Sequence, residues 1–583
     1  MYHLDDKEEI LNTKYYKKTR SICPECKEPI DAELVERDIG EDGEIWMEKE
    51  CPDHGYFEDK ISSSAKYYKW THYQKKDKDG NVVWQFLKDG ETNPPDLVGD
   101  DPRGCPYNCG LCEDHISTCS LALIDVTNRC NFNCNFCYAN VKQQGYLVEP
   151  SLEELDRIME HFRSKPIPPP AIMFTGGEPT VRKDFPEICK MAKDHGFKEV
   201  IVATNGYGFQ RKNGKGLEFT KECMEKGVDT LYFQFDGIND ETLEKTRGIK
   251  NLMSYKQRVI DNCREAGLSS VVLVQTVVKG ITDIEVGNVI QYAIDNIDVV
   301  RGIVYQPVSL CGRSYSEDDL KEMRITNADV IKMVEKQTSG KIAIDDAWYP
   351  LTTIVEFGRI ISYLADVEPV EFTCHPDCGF ATYMVVDPDT NEMVPIMDYF
   401  DPMKIVDFSN RFWDKIKHKE KKDITLFENI LGDFGKTLDK GVNWLDKQQL
   451  RARFLAGMLQ YTKKPGKLME MFMRVLLNGE WESISAFTHG TLLISSMHFQ
   501  DAYNMNLERT ERCIVHFGYA MPDGSVFEAP FCTMNTIHRP EIEKKVAKKA
   551  GEKVMEEFDT SKGQRVLPEQ DLVHNGGTKK KEE

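Results

Sequence analysis

The chain has 583 residues and a formal net charge of −21, an acidic balance that argues against nucleic-acid binding because phosphate contacts need a basic footprint. No stretch reaches the roughly eighteen consecutive apolar residues of a membrane helix, and the opening MYHLDDKEEI is acidic and polar, unlike a signal peptide. A cytosolic setting is expected, in which the 18 cysteines read as metal ligands and thiols rather than disulfides.

The length suits roughly three to four domains. The first, over 1–100, is a metal knuckle. Cys23 and Cys26 lie in CPEC, and Cys51 and His54 in CPDHG, giving a CxxC…CxxH set. Ligand pairs from two short turns suit one tetrahedral metal, zinc or rubredoxin-like iron. Such a site folds a small domain that lacks much core. A turn histidine such as His54 is also common merely as a surface residue. Residues 101–120 follow as a cysteine-rich bridge, with Cys105, Cys109, Cys112 and Cys119 in CPYNCGLCEDHISTC. Four such thiols fit a 4Fe–4S cluster ligated wholly by protein; a second zinc site is the alternative.

A barrel is expected over 121–315. The apolar run Leu121 to Val126 predicts a buried strand. It leads into RCNFNCNFCYAN, where Cys130, Cys134 and Cys137 stand at CxxxCxxC spacing. Three thiolates so spaced hold three irons of a 4Fe–4S cluster and leave the fourth open. Zinc knuckles favour paired CxxC units and four protein ligands instead. Ser151 and Glu154 then form a capping box at the start of the amphipathic helix SLEELDRIMEHF. The next strand, Ala171 to Phe174, ends in Thr175-Gly176-Gly177-Glu178-Pro179. This strand–helix–strand unit puts both loops at strand C-terminal ends, where parallel α/β barrels carry their chemistry. Further strands are predicted at 200–203, 230–235, 271–278 and 302–305. Six units fit a partial (β/α)6 barrel rather than a closed eightfold one. Cys189, Cys223 and Cys263 fall on its helices as ordinary buried thiols.

The region 316–540 is expected to be mostly helical and to close the site. Cys374 and Cys378 in CHPDCG, with Cys513 and Cys532, form a further metal-ligand set if the fold brings them together; Cys311 is an alternative member. The near all-apolar helix 468–477 and the stretch 454–459 are either core or the wall of an apolar groove. His489, His498 and Asp501 are pocket polar groups or structural residues. From about 541 the chain turns charged and Gly/Lys-rich and reads as a short helix followed by disorder.

The CxxxCxxC loop followed by GGEP on the next strand resembles the radical S-adenosylmethionine (SAM) enzymes. That resemblance implies a SAM-binding cluster at Cys130, Cys134 and Cys137, SAM amino-group binding at Gly176, Gly177 and Glu178, and adenine contact at Phe136. The polar strand tips Thr204, Asn205, Gln234, Asp236 and Gln306 are candidates for SAM ribose or methionine. The further succession of CPEC…CPDHG, CPYNCGLC and CHPDCG resembles the archaeal tetraether lipid synthases over roughly 20–540. It implies two auxiliary 4Fe–4S clusters, a mononuclear iron or zinc and an electron donor such as ferredoxin or flavodoxin. It also implies an archaeal ether phospholipid substrate met at the inner membrane surface, whose terminal methyl carbons would be joined. Such C–H bonds offer nothing to an acid or base but suit a 5′-deoxyadenosyl radical. Radical cross-linking at another carbon, or methylation of a small heterocycle, is the alternative.

Overall fold

A computed structural model describes residues 14–72, 74–76, 82–84, 86–88, 90, 92–93, 101–109, 112–139, 146–311, 319, 322–365, 371–386, 392–416, 449–463, 490–547, 558–559 and 564–565. The expected helix 468–477, His489 and most of the charged tail lie outside these residues.

The N-terminal unit is an antiparallel meander of β1 (Tyr16–Ile22), β2 (Pro29–Arg37), β3 (Glu44–Cys51) and β4 (Gly55–Ser62). Its two odd-numbered turns carry the CPEC and CPDHG pairs, so the sequence spacing becomes spatial convergence. Helix α1 (Ala65–Thr71) follows, capped by the Ser64 side chain accepting from Tyr67 N. Small as its core is, this unit is anchored elsewhere. Lys49 is buried, and its Nζ donates to Ser21 Oγ (3.0 Å), Ile22 O (2.9 Å) and Ala502 O (2.9 Å). Burial pulls the Lys49 ammonium down to about 7.

The six expected barrel strands form in the expected order. They are β5 (Leu121–Thr127), β6 (Ala171–Gly176), β7 (Glu199–Thr204), β8 (Thr230–Gln234), β9 (Val271–Val277) and β10 (Val300–Pro307), each parallel to the next. Their near-continuous apolar character follows from being covered on both faces. Helix α2 (Leu152–Arg163) carries the expected capping box and buries Leu155, Ile158, Met159 and Phe162, a single face at helical spacing. Helices α3 (Phe185–Asp194), α4 (Lys215–Glu225), α5 (Asp240–Arg247), α6 (Leu252–Ala266) and α7 (Val286–Asp295) fill the remaining crossovers. Cys189, Cys223 and Cys263 are buried in this core, as expected.

The sheet is wider than the six units. Strand β11 (Gly379–Val386) is antiparallel to β12 (Thr491–Met497), which lies parallel beside β10. On the other edge β13 (Val515–Ala520) runs parallel to β5 and antiparallel to β14 (Val526–Pro530). The result is a 12-stranded sheet with the barrel units at its centre. The C-terminal region, expected mostly helical, thus also supplies strands to both edges. Its helices α8 (Val355–Ala365) and α9 (Pro402–Ile416) and the helical residues 449–459 pack around Ile360, Leu364, Phe454 and Met458.

Candidate active site and metal centres

The cysteine loop leaves β5 and is held by backbone contacts from two neighbours. Gly177 N donates to Thr127 O (2.7 Å) and Glu178 N to Arg129 O (2.8 Å). Both glycines are required by this approach: a Cβ on Gly176 would sit 2.2 Å from Thr127 O, and one on Gly177 2.2 Å from Arg129 O. Gly176 also adopts φ +122°. From the other side, α5 ends against the loop, with Asn135 N donating to Thr246 O (2.9 Å). Phe132 N points at Cys130 Sγ (3.4 Å), the kind of N–H···S contact that favours a thiolate, so the loop fits a cluster.

Glu178 is turned inward. It is fully buried, and its carboxylate accepts Thr180 Oγ1 (2.6 Å), Thr204 Oγ1 (2.7 Å) and Asn205 N (2.7 Å). Asp236 is likewise internal, taking the Arg247 guanidinium at 2.5 and 2.7 Å. Burial works to raise the Asp236 carboxyl, but the Arg247 charge outweighs it and holds it below the usual range. Neither carboxylate is among the residues lining the cavity, and both brace residues that are, Thr204 and Arg247. Thr204, Asn205, Gln234 and Gln306 do face the cavity, with Phe136, Gly176 and Gly177.

Arg247 is a site residue that the sequence analysis missed. Buried at the end of α5, it lines the cavity and hydrogen-bonds Cys134. Asp125 is a second, inside β5, paired with Arg539 Nη1 at 2.6 Å. Both charges line a cavity of about 960 Å³. It runs from Cys130, Cys134 and Cys137 past the strand tips to Met397, Phe400, Ile405 and Met458. Most of its wall is aliphatic or aromatic.

At the knuckle, Cys26 and Cys51 sulfurs are 3.9 Å apart, and His54 Nδ1 lies 3.7 Å from Cys23 Sγ and 3.4 Å from Cys51 Sγ. Donors about 2.0–2.3 Å from one tetrahedral ion are separated by roughly these distances. All four residues form a single candidate site.

Residues 124–293 match the family model described as "Radical SAM superfamily", and residues 15–63 match "HMPTM N-terminal zinc ribbon domain". A Methanocaldococcus jannaschii protein named 7,8-dihydro-6-hydroxymethylpterin dimethyltransferase is 40% identical over 529 residues, covering 91% of this chain and 95% of that one. The chain belongs to the radical SAM superfamily. Fe-coproporphyrin III synthase of Methanosarcina barkeri is 37% identical over 144 residues, covering 25% of this chain and 34% of that one. A solved structure of Streptococcus suis SuiB bound to S-adenosylmethionine overlaps 39% of this chain and 48% of that one, with 13% identity and a TM-score of 0.31. Membership brings SAM, a 4Fe–4S cluster and a need for an electron donor, and the ribbon adds a further metal. It does not bring the lipid: the relative matched along nearly its whole length carries a pterin methyltransferase name, so the likeness to tetraether lipid synthases is not what these comparisons support. Among the described residues no helix is long and apolar enough to cross a membrane.

In this radical SAM chain the auxiliary cysteines fall into two groups. Cys105 feels the thiols of Cys109 and Cys112, and burial pushes all three up. Cys119 does not join them as expected, because β5 carries it beside β13, where it lies with His516 and Glu528. That trio is a poor metal site. His516 Nδ1 already faces Glu528 (2.6 Å) and Nε2 faces Cys513 O (2.9 Å). Cys374 and Cys378 are hydrogen-bonded, and Cys378, Cys513 and Cys532 act on one another electrostatically. The Cys374 bond holds the Cys378 thiol down, and Arg509 adds to this against burial. Gln500 N points at Cys532 Sγ (3.4 Å), again suiting a thiolate ligand. Cys311 stands apart, against Ser309 and Thr536 and facing the cavity. His498 and Asp501 are structural: Asp501 binds Arg324, and the His498 carbonyl accepts from Arg509.

Proposed function

We propose that this chain forms carbon–carbon bonds at carbons without acidic protons, on a substrate with a long apolar chain. The observation that carries the reading is the cavity. Its volume of about 960 Å³ stands at the upper end of the roughly 300–1,000 Å³ usual for small-molecule sites. SAM held at Cys130, Cys134 and Cys137 would take the end beside them, and the arm toward Phe400, Ile405 and Met458 is apolar, which suits a hydrocarbon. Bound together, SAM and the 4Fe–4S cluster supply a radical able to take hydrogen from an unactivated carbon. The chain's own residues hold the pieces. Cys130, Cys134 and Cys137 are the proposed cluster ligands, with Arg247 fixed beside Cys134 by Asp236. Gly176, Gly177, Thr204, Asn205 and Gln234 are the proposed SAM contacts, and Phe136 the adenine contact. Aromatic side chains, among them Phe400, Phe517 and Phe531, line the cavity. End-to-end joining of phytanyl chains of ether phospholipids is the specific form proposed.

Methylation of a reduced pterin is the second reading. The name of the 40%-identical relative supports it, and in the comparisons it has more support than the lipid. Asp125 and Arg539 would then be the polar partners of the ring. Both readings make carbon–carbon bonds, and mass separates them. Anaerobically reconstituted protein is given SAM and reductant with either archaeal diether phospholipid or 7,8-dihydro-6-hydroxymethylpterin. Lipid coupling removes one hydrogen from each of two chains; methylation adds CH2 to the pterin. Methylated pterin with unchanged lipid would overturn the first reading in favour of the second.

A further inference from the structure

We infer that Lys256 is a positioning residue for SAM: from α6, its ammonium sets the ends of β7 and β8 where Asn205 and Gln234 turn to the cavity. Lys256 is fully buried, and its Nζ donates to Gln234 O (2.7 Å), Gln234 Oε1 (2.7 Å) and Asn205 O (3.1 Å). The β7–β8 ladder ends at the pair Thr204 and Phe233, one residue short of both partners. Beyond that pair the lysine takes the place of the ladder in joining the two strands.

Packing alone does not call for a lysine here. On α6 it shares the buried face with Leu252, Tyr255, Val259 and Ile260, where an apolar side chain would fill the space at less cost. Burial pulls the ammonium down to about 7, and the Arg247 charge adds to this. The acceptors nevertheless suit the charged form. An ammonium has three N–H donors and three carbonyl oxygens use them all, whereas a neutral amine would turn its lone pair at one of them. The anions whose charge reaches Lys256 have other partners: Asp236 holds Arg247, and Glu178 accepts from Thr180, Thr204 and Asn205.

The two residues it fixes are those that face the cavity between the cysteine loop and the later strands. The Asn205 peptide is held at both ends, its N–H by Glu178 Oε2 (2.7 Å) and its carbonyl by Lys256. Tyr255, the neighbour of Lys256 on α6, donates its hydroxyl to Asn205 Oδ1 (3.1 Å). That leaves Asn205 Nδ2 directed at Asn131 Oδ1 (2.8 Å), beside Cys130. The Gln234 amide is set in the same way, Oε1 on Lys256 and Nε2 on Asp236 Oδ2 (2.8 Å). One buried cation therefore orients both side chains. The inference rests on the proposed SAM contacts of Asn205 and Gln234 and is independent of the substrate.

The test is anaerobic equilibrium dialysis with labelled SAM on the reconstituted full-length protein, Lys256→Met and Gln234→Ala. Iron, labile sulfide and the EPR spectrum of the reduced cluster are recorded with and without SAM. We expect Lys256→Met to bind SAM at least tenfold more weakly, with wild-type iron and sulfide and an unchanged SAM-free spectrum. The spectral change on adding SAM should then need correspondingly more of it. SAM affinity within twofold of wild type would overturn the role, as would loss of the cluster together with SAM binding, which marks Lys256 as a general structural residue. Weakened binding in Gln234→Ala alone would overturn the role of Lys256 and leave the SAM contacts standing; wild-type affinity in both variants would overturn both. Should Lys256→Met not fold, Lys256→Gln, smaller and still able to donate to one carbonyl, carries the same expectation and the same overturning results.

Discussion

At Gly177 the whole catalytic arrangement depends on a missing methyl group. A Cβ there would stand 2.2 Å from the Arg129 carbonyl oxygen and 2.6 Å from its carbon, backbone atoms with no flexible end to move aside. Gly177→Ala must therefore push the cysteine loop away from β6 by about an ångström, a displacement that can cost a reaction roughly 100-fold. Reductive release of 5′-deoxyadenosine is expected to fall by about that factor, with knuckle metal and circular dichroism unchanged. Wild-type release from the variant would mean that the loop is not braced there. Cys130, Cys134, Cys137 and both glycines were legible in the sequence because their spacing is itself the signature. The inner partners of Glu178 and Asp236 were not legible, for a physical reason. A carboxylate at a strand tip looks the same in sequence whether it faces a ligand or an inner partner, and those partners, Asn205 and Arg247, come from later units. Arg247 itself gave no signal, being one more charge in the polar helix DETLEKTR. Only the fold sets it beside Cys134.

Elements that rest on local pattern were legible as elements. Helix α2 announces itself through Ser151, Glu154 and four apolar residues on one face, and the barrel strands through apolar runs ending in polar tips. What could not be read is where β12 and β13 go. Each pairs in parallel with a strand far away in the chain, and parallel pairing leaves no hairpin signal behind. The cysteine groups inherit this difficulty: Cys119 was grouped with its sequence neighbours, whereas the β5–β13 ladder carries it to His516. The contact of α2 with β13 provides a test. Gly518 lies under the helix, and a Cβ there would be 2.7 Å from both Ile158 Cγ2 and Phe162 Cε2. Gly518→Val raises strand propensity, but overpacking of this kind costs about 1–3 kcal/mol. Urea denaturation should show a loss in that range without a change in slope. Unaltered or greater stability would mean that β13 does not sit beneath α2.

Across the molecule, the N-terminal ribbon is fastened to the segment that leads into the C-terminal cysteines. Thr19 Oγ1 bonds Asn506 Oδ1 (2.9 Å), Ser21 Oγ bonds Met505 O (2.5 Å), and Lys49 reaches Ala502 O. Arg324 closes the joint from the barrel side, binding Asp59 of the ribbon (2.6 Å) and Asp501 (2.9 Å), all three buried. A few residues on, Arg509 acts on Cys378 and Cys532, and Cys513 follows. The ribbon's own core is little more than Ala32, Leu34, Ile45, Met47, Ala65 and Tyr68, so its fold leans on the knuckle metal. Removing that metal should therefore not melt the ribbon alone. It should expose Lys49, Asp59 and Arg324, groups that are costly to leave buried without partners, and loosen residues 501–509 with them. For Cys26→Ser, calorimetry is expected to give one transition several degrees below that of the wild type, accompanied by loss of iron and sulfide beyond the knuckle's single ion. A small early transition ahead of an unshifted main peak, with full cluster content, would show the ribbon to be an independent appendage.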